Sequence, residues 1–184
     1  QLMKKGCEIS AQAHKAAMQF VAPNMNEQSL EAFYLYKFAE QGSRFPAYTP
    51  IVAGGEHACI LHYVENDQTL NDGDLVLVDA GGEYECYASD ITRTYPVNGK
   101  FSDEQLAVYK VVLEAHKQAI EAVKTGNHIM QPQEISERVI TEGLVDLGIL
   151  DGKTEDLLEE GAHKNFYMHL SLIHISEPTR LRRI

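Results

Sequence analysis

Apolar residues along this chain change their period several times, and each change marks an element. Ile9, Ala13, Ala16, Ala17, Phe20 and Val21 recur at helical steps, which predicts a helix with one buried stripe. No cap precedes it, so this helix is expected to begin upstream or to follow a missing segment. A second helix is predicted over 27–41. Asn26 offers it a capping oxygen, Leu30, Phe33, Tyr34 and Phe38 share a face, and Gly42 stops it. Short strands are then expected over 46–53, 59–63 and 75–94, the last as a hairpin of 75–80 against 88–94. Asn71-Asp72-Gly73-Asp74 is a turn by composition.

Helical spacing returns at Ser102-Asp103-Glu104-Gln105, which is spelled as a capping box. Leu106, Tyr109, Leu113, His116, Ile120 and Val123 follow on one stripe until Gly126. His116 reads as a packed or boundary histidine, because no second ligand type accompanies it on that face. A fourth helix over 132–147 opens on a proline and ends at Gly148, and 154–160 forms a short acidic helix facing solvent. Helices, then hairpins, then helices predict an α+β domain: an antiparallel sheet with helices on one face.

Composition narrows the functional classes. A hydrophobic fraction of 44% over 184 residues suffices for a folded core. The net charge of −11 argues against nucleic acid or an anionic membrane surface as the main partner, while a cationic peptide amino terminus is tolerated. The longest apolar runs, such as Leu75 to Val78, are too short to span a bilayer, and the first residues lack the pattern of a secretory signal. Cys7, Cys59 and Cys86 are odd in number and form no CxxC, so reduced thiols and a cytoplasmic location are expected.

The chemistry concentrates at Asp79 and Asp90. With a hairpin midpoint between Tyr84 and Glu85, the two aspartates would lie directly opposite each other, side chains on one face. Two carboxylates so close in an apolar sheet repel, so one keeps its proton or a cation lies between them. The alternative is that Val-Asp-Ala-Gly is a strand end followed by a polar loop, with Asp79 facing water.

Three stretches carry a family resemblance: Ile60-Leu61-His62-Tyr63, Leu75 to Gly82, and Asp90-Ile91-Thr92-Arg93-Thr94-Tyr95-Pro96-Val97-Asn98-Gly99-Lys100-Phe101. Over about residues 1–169 the chain resembles the aminopeptidase P group of the pita-bread metallopeptidases, relatives of prolidase and methionine aminopeptidase. The resemblance implies a partial pita-bread domain from an enzyme that removes the residue preceding a penultimate proline. It implies two divalent ions, usually manganese, a peptide substrate and a homo-oligomeric parent. Asp79 would bind one ion and Asp90 would bridge both, in a hard oxygen shell that suits manganese. Thr92, two residues beyond Asp90, would share its face and support a ligand by a hydrogen bond. His62 matches the histidine that lines the substrate pocket and helps stabilise the reacting carbonyl. Outside the family, a strand histidine between Leu61 and Tyr63 would be merely hydrogen-bonded. His169 matches another active-site histidine. Cys86 stands in the hairpin turn where relatives often carry glycine, which implies strain if that position needs a positive φ. Rival readings are prolidase, a methionine aminopeptidase, which the Ile-Thr-Arg-Thr run disfavours, and a metal-free peptide-binding module.

After His169 the resemblance stops, with Leu170 where the family has glycine. The segment from Leu170 to Arg180 reads as the in-frame translation of a transposase adapter used in sequencing libraries. The expectation is therefore that 1–169 is the amino-terminal part of a catalytic domain and 170–184 an adapter-derived tail, His174 included. By the resemblance, the histidine and two glutamates that complete the five ligands lie beyond this point. No Xaa-Pro cleavage by this chain is expected.

Overall fold

The first helix buries a stripe that is only half apolar. In the structure, a computed structural model describing residues 1–167, α1 (Leu2–Phe20) hides Gly6, Ile9, Ser10, Ala13, His14 and Ala17. Phe20 stays partly in solvent and stacks on Phe33 with ring centroids 3.9 Å apart. The chain divides into two units, Gln1–Ser102 and Asp103–Ile184. His169 and the segment 170–184 lie outside the described residues.

In the first unit, α2 (Glu27–Ala39) starts as its sequence dictates, the Asn26 side chain accepting from the Gln28 amide at 2.8 Å. Six short strands follow: β1 (Phe45–Pro46), β2 (Ile51–Gly54), β3 (Leu75–Asp79), β4 (Gly82–Tyr84), β5 (Tyr87–Ala88) and β6 (Thr92–Pro96). They form two antiparallel sheets, ordered β1-β4-β5 and β2-β3-β6. Alternation along β3 sorts the faces. Val76 and Val78 are fully buried in one cluster with Ile9, Ala13 and Ala17 of α1 and Leu30, Tyr34 and Phe38 of α2. Leu77 points the other way and packs with Ile51, Ala53, Ala58 and Tyr63. Helices α1 and α2 thus cover one face, as expected, and a loop covers the other.

Three expectations for this unit need correction. The predicted strand 46–53 is broken: Pro46 ends β1, and residues 47–50 carry the chain from one sheet to the other before β2. Pro50 lacks an amide hydrogen to offer a ladder, which favours the break. Residues 59–63 are not a strand. Gly55–Cys59 forms a short 3-10 helix, and His62 sits in the turn after it with φ 56°. Lastly, the hairpin turns one residue later than expected. Tyr84 pairs with Tyr87, so Glu85 and Cys86 are its two central residues, and Asp79 pairs with Thr92 rather than Asp90. Their φ values of 52° and 68° are the left-handed pair that a two-residue hairpin turn requires. Cys86 therefore does occupy a glycine-like conformation.

In the second unit, α3 (Asp103–Ala122) and α4 (Gln131–Asp146) pack together, followed by α5 (Thr154–Glu160). A side chain on Gly143 would strike Val111, so glycine permits this close approach. The stripe expected on α3 is only partly its inner face: Leu106, Tyr109 and Leu113 are half-buried, but its later members are exposed. Ile120 and Val123 are 58% and 70% exposed, while Ala115 and Ala122 are buried. Ala115 packs in one buried cluster with Ile140 and Leu144 of α4, so small residues on α3 meet large apolar ones on α4. Gly148, at φ 69°, ends α4 in a Schellman arrangement, its own amide bonding to the Val145 carbonyl and that of Ile149 to Leu144. No helix among the described residues is long and apolar enough to cross a membrane.

Candidate metal centre

Asp79 closes β3 on the face opposite α1 and α2, in register with Ile51 on one side and Thr92 on the other. Asp90 lies where the ribbon passes from β5 to β6. The strands cross tightly there: a side chain at Gly81 would fall on the Ser89 carbonyl, so only glycine fits. Two residues from Thr92, Asp90 is the diagonal rather than the direct neighbour of Asp79, on the same face of the ribbon. The offset leaves the pair within reach of one group. The Tyr48 hydroxyl donates to Asp79 Oδ1 at 2.5 Å and contacts Asp90 Oδ1 at 3.2 Å.

The electrostatics agree with two acids crowded together. Burial first, and then the charge of Asp79, raise the Asp90 pKa above the ordinary value, against a smaller opposing pull from Tyr48. The Tyr48 phenol is also raised, by burial and then by Asp79 and Asp90, so it remains a hydrogen-bond donor. A cation would relieve this repulsion, and two carboxylates are hard oxygen donors suited to a divalent ion. The fit is one of chemistry and not yet of number. Among the described residues no three His, Cys, Asp or Glu side chains gather to hold a metal.

A buried polar lattice holds the ribbon behind these acids. Ser10 of α1 accepts from the Gly82 amide at 2.9 Å and shares a 2.7 Å bond with Ser89, whose hydroxyl also donates to the Gly82 carbonyl at 2.7 Å. His14 Nε2 lies 3.0 Å from the Ala80 carbonyl, which can only accept, so Nε2 carries the hydrogen. Nδ1 then accepts from Tyr34 at 3.0 Å, and Tyr95 stands 3.2 Å behind that hydroxyl. Residues 80, 82 and 89 flank the two aspartates, so α1 fixes where both emerge.

His62 is exposed on its turn, and the next residue, Tyr63, is buried against Ile51, Ala53 and Leu77. The loop bearing His62 therefore stands on the sheet face that carries Asp79. His116 lies in the second unit, exposed, beside a groove between α3 and α4. Sequence reasoning missed Tyr48, Glu27, Ser10 and His14. The prolines at 46 and 50 could have flagged Tyr48 as a residue in a strand break. A polar pair four apart on the buried stripe of a helix, Ser10 and His14, was the available signal for the lattice.

Residues 1–176 match the profile of metallopeptidase family M24. The chain is 53% identical over 168 residues to a Xaa-Pro aminopeptidase of Haemophilus influenzae, covering 91% of this chain and 39% of that protein. Among solved structures, aminopeptidase PepP of Pseudomonas aeruginosa superposes with a TM-score of 0.88 at 49% identity, covering 89% of this chain and 37% of that one. A zinc-substituted aminopeptidase P of E. coli in complex with product superposes with a TM-score of 0.87 at 43% identity, again over 89% of this chain and 37% of the other. The chain thus spans less than two-fifths of the length of these relatives. The fold is the corresponding part of the pita-bread architecture.

Proposed function

Because this chain belongs to metallopeptidase family M24, we propose that it carries the amino-terminal part of the catalytic domain of a Xaa-Pro aminopeptidase. The observation that carries this reading is the Tyr48 hydroxyl touching both Asp79 and Asp90 on the sheet face beneath the His62 loop. Asp79 and Asp90 would hold divalent metal, in this reading two manganese ions. The metal, when bound, polarises the scissile carbonyl as a Lewis acid.

The residues of the chain do the rest. By donating to Asp79 Oδ1, Tyr48 fixes that carboxyl and leaves its other oxygen free to bind. Thr92, facing Asp79 across the ladder, stands where a hydroxyl could support the same carboxyl. His62 would present a ring nitrogen to the peptide carbonyl, and His169 would line the same pocket. The substrate is a peptide with proline in second position. Cleavage of dipeptides alone, as by prolidase, is the alternative that the same carboxyl pair would serve. Three free, exposed thiols support a cytoplasmic setting. The segment 170–184 we take as adapter-derived; codons unlike the adapter's in the encoding DNA would refute this.

Titration of the chain with Mn2+, followed by electron paramagnetic resonance, tests the site. Weak binding is expected for the wild-type chain, with loss of about tenfold or more in affinity for Asp79→Ala and Asp90→Ala. Unchanged binding in both variants would remove these residues as ligands.

A further inference from the structure

Glu27 is an acid with no exposed surface, and the proposed chemistry does not use it. It opens α2, next to the cap, where a first-turn acid is ordinary on a helix surface. Here it is buried and fully engaged. Oε1 accepts from the Gly54 amide at 2.8 Å; Oε2 accepts from the Tyr63 hydroxyl at 2.8 Å and the Gln68 amide at 3.0 Å. His57 Nδ1 stands 3.8 Å from Oε1, and its ring stacks on that of Tyr63 with centroids 5.0 Å apart.

These donors are not scattered. Gly54 ends β2, Tyr63 follows His62, and Gln68 precedes the return of the chain, so one carboxyl grips the start, middle and end of the His62 loop. The strand β2 is a sheet edge, and its outward amides would otherwise be open. Val52 donates to the Asn66 side chain at 2.9 Å, as Gly54 does to Glu27, so the loop is laced along that edge. The middle grip sets His62. With its hydroxyl on Glu27 and its ring against Ile51, Ala53 and Leu77, Tyr63 is held at both ends. Its amide donates to the Ile60 carbonyl at 3.3 Å, closing the turn in which His62 has φ 56°.

We propose that Glu27 is a positioning residue for His62: its buried carboxyl ties the loop down on the sheet face that carries Asp79 and so fixes where on that face the imidazole is presented. The inference rests on the reading of His62 as a substrate-facing group. The rival is a purely structural role, in which Glu27 only satisfies the edge amides.

Histidine-labelled chain separates the two by nuclear magnetic resonance. In Glu27→Gln, the Gly54 or Gln68 amide exchanges about tenfold faster, and the His62 ring cross-peak moves by more than its line width. Tyr63→Phe removes only the middle grip; it moves the same His62 peak while Gly54 and Gln68 keep their protection. The His14 peak stays in place in both. A stationary His62 peak in both variants overturns the proposal, and if Glu27→Gln does not fold, Tyr63→Phe alone decides. An Ala-Pro-Phe tripeptide added to the wild-type chain with Mn2+ addresses the underlying reading. A His62 peak that ignores the peptide sinks the substrate-facing role and leaves the tether standing.

Discussion

Asp90 shows how a residue can be placed for function against stability. Its pKa is raised by burial and by Asp79, so the folded chain favours its protonated form. That contribution is fully present below the ordinary aspartate value of 3.8 and is lost as pH rises through the folded-state value. At neutral pH that contribution is absent, and because the Asp90 carboxylate is exposed to solvent the remaining repulsion from Asp79 is partly screened. Asp90→Asn is expected to raise the melting temperature at pH 7 in the presence of a chelator, with the gain vanishing near pH 3.8, and to weaken metal binding. Melts across pH check it, and an equal or lower melting temperature for the variant at pH 7 contradicts the argument. The chemical character of Asp79 and Asp90 was legible in the sequence because two acids so near apolar strand residues are unusual. Tyr48 was not, because nothing local says that a tyrosine in a strand break will meet residues 31 and 42 positions away.

At the scale of elements, turn chemistry decided what hydrophobic pattern could not. Alternation is blind to where a hairpin turns, and the Glu85-Cys86 pair carries no Asn-Gly signal, so the register came out wrong although both strands were anticipated. A left-handed non-glycine residue costs roughly 1–2 kcal/mol. Cys86→Gly should therefore stabilise the chain by about 1 kcal/mol, measurable by urea denaturation, whereas a loss of stability would show that Cys86 is not strained. The join of α1 to the ribbon titrates in the opposite sense to Asp90. Burial, as the largest cause, lowers the His14 pKa below 6.5, so His14 is neutral in the fold and its Nδ1 can accept from Tyr34. This contribution is complete above pH 6.5 and is lost as pH falls through the folded-state value, because a protonated Nδ1 no longer accepts. His14→Gln should flatten the slope of stability against pH below 6.5 relative to the wild type. Parallel slopes in the two proteins would count against it.

For the molecule as a whole, the proposed reading makes a prediction about turnover, because among the described residues no three His, Cys, Asp or Glu side chains gather to hold a metal. Incubation of the chain with Mn2+ and a tripeptide bearing a penultimate proline is expected to release no amino-terminal residue, by mass spectrometry. Release that disappears in Asp90→Ala would show that the chain completes its own site.

The sequence by itself determined the helices, the Asn26 cap of α2 and the Gly148 stop of α4, the α+β class, the turn at 71–74 and the identity of the two acids, because these depend on residue type and short-range spacing. Tertiary structure alone decided that Asp79 faces Thr92, that Tyr48 reaches both carboxyls, that α3 packs through alanine and that Glu27 lies buried beneath the His62 loop. Each of these turns on contacts between residues distant along the chain or on close backbone approach. A one-dimensional pattern of polarity holds no distances, and those contacts are set by distance.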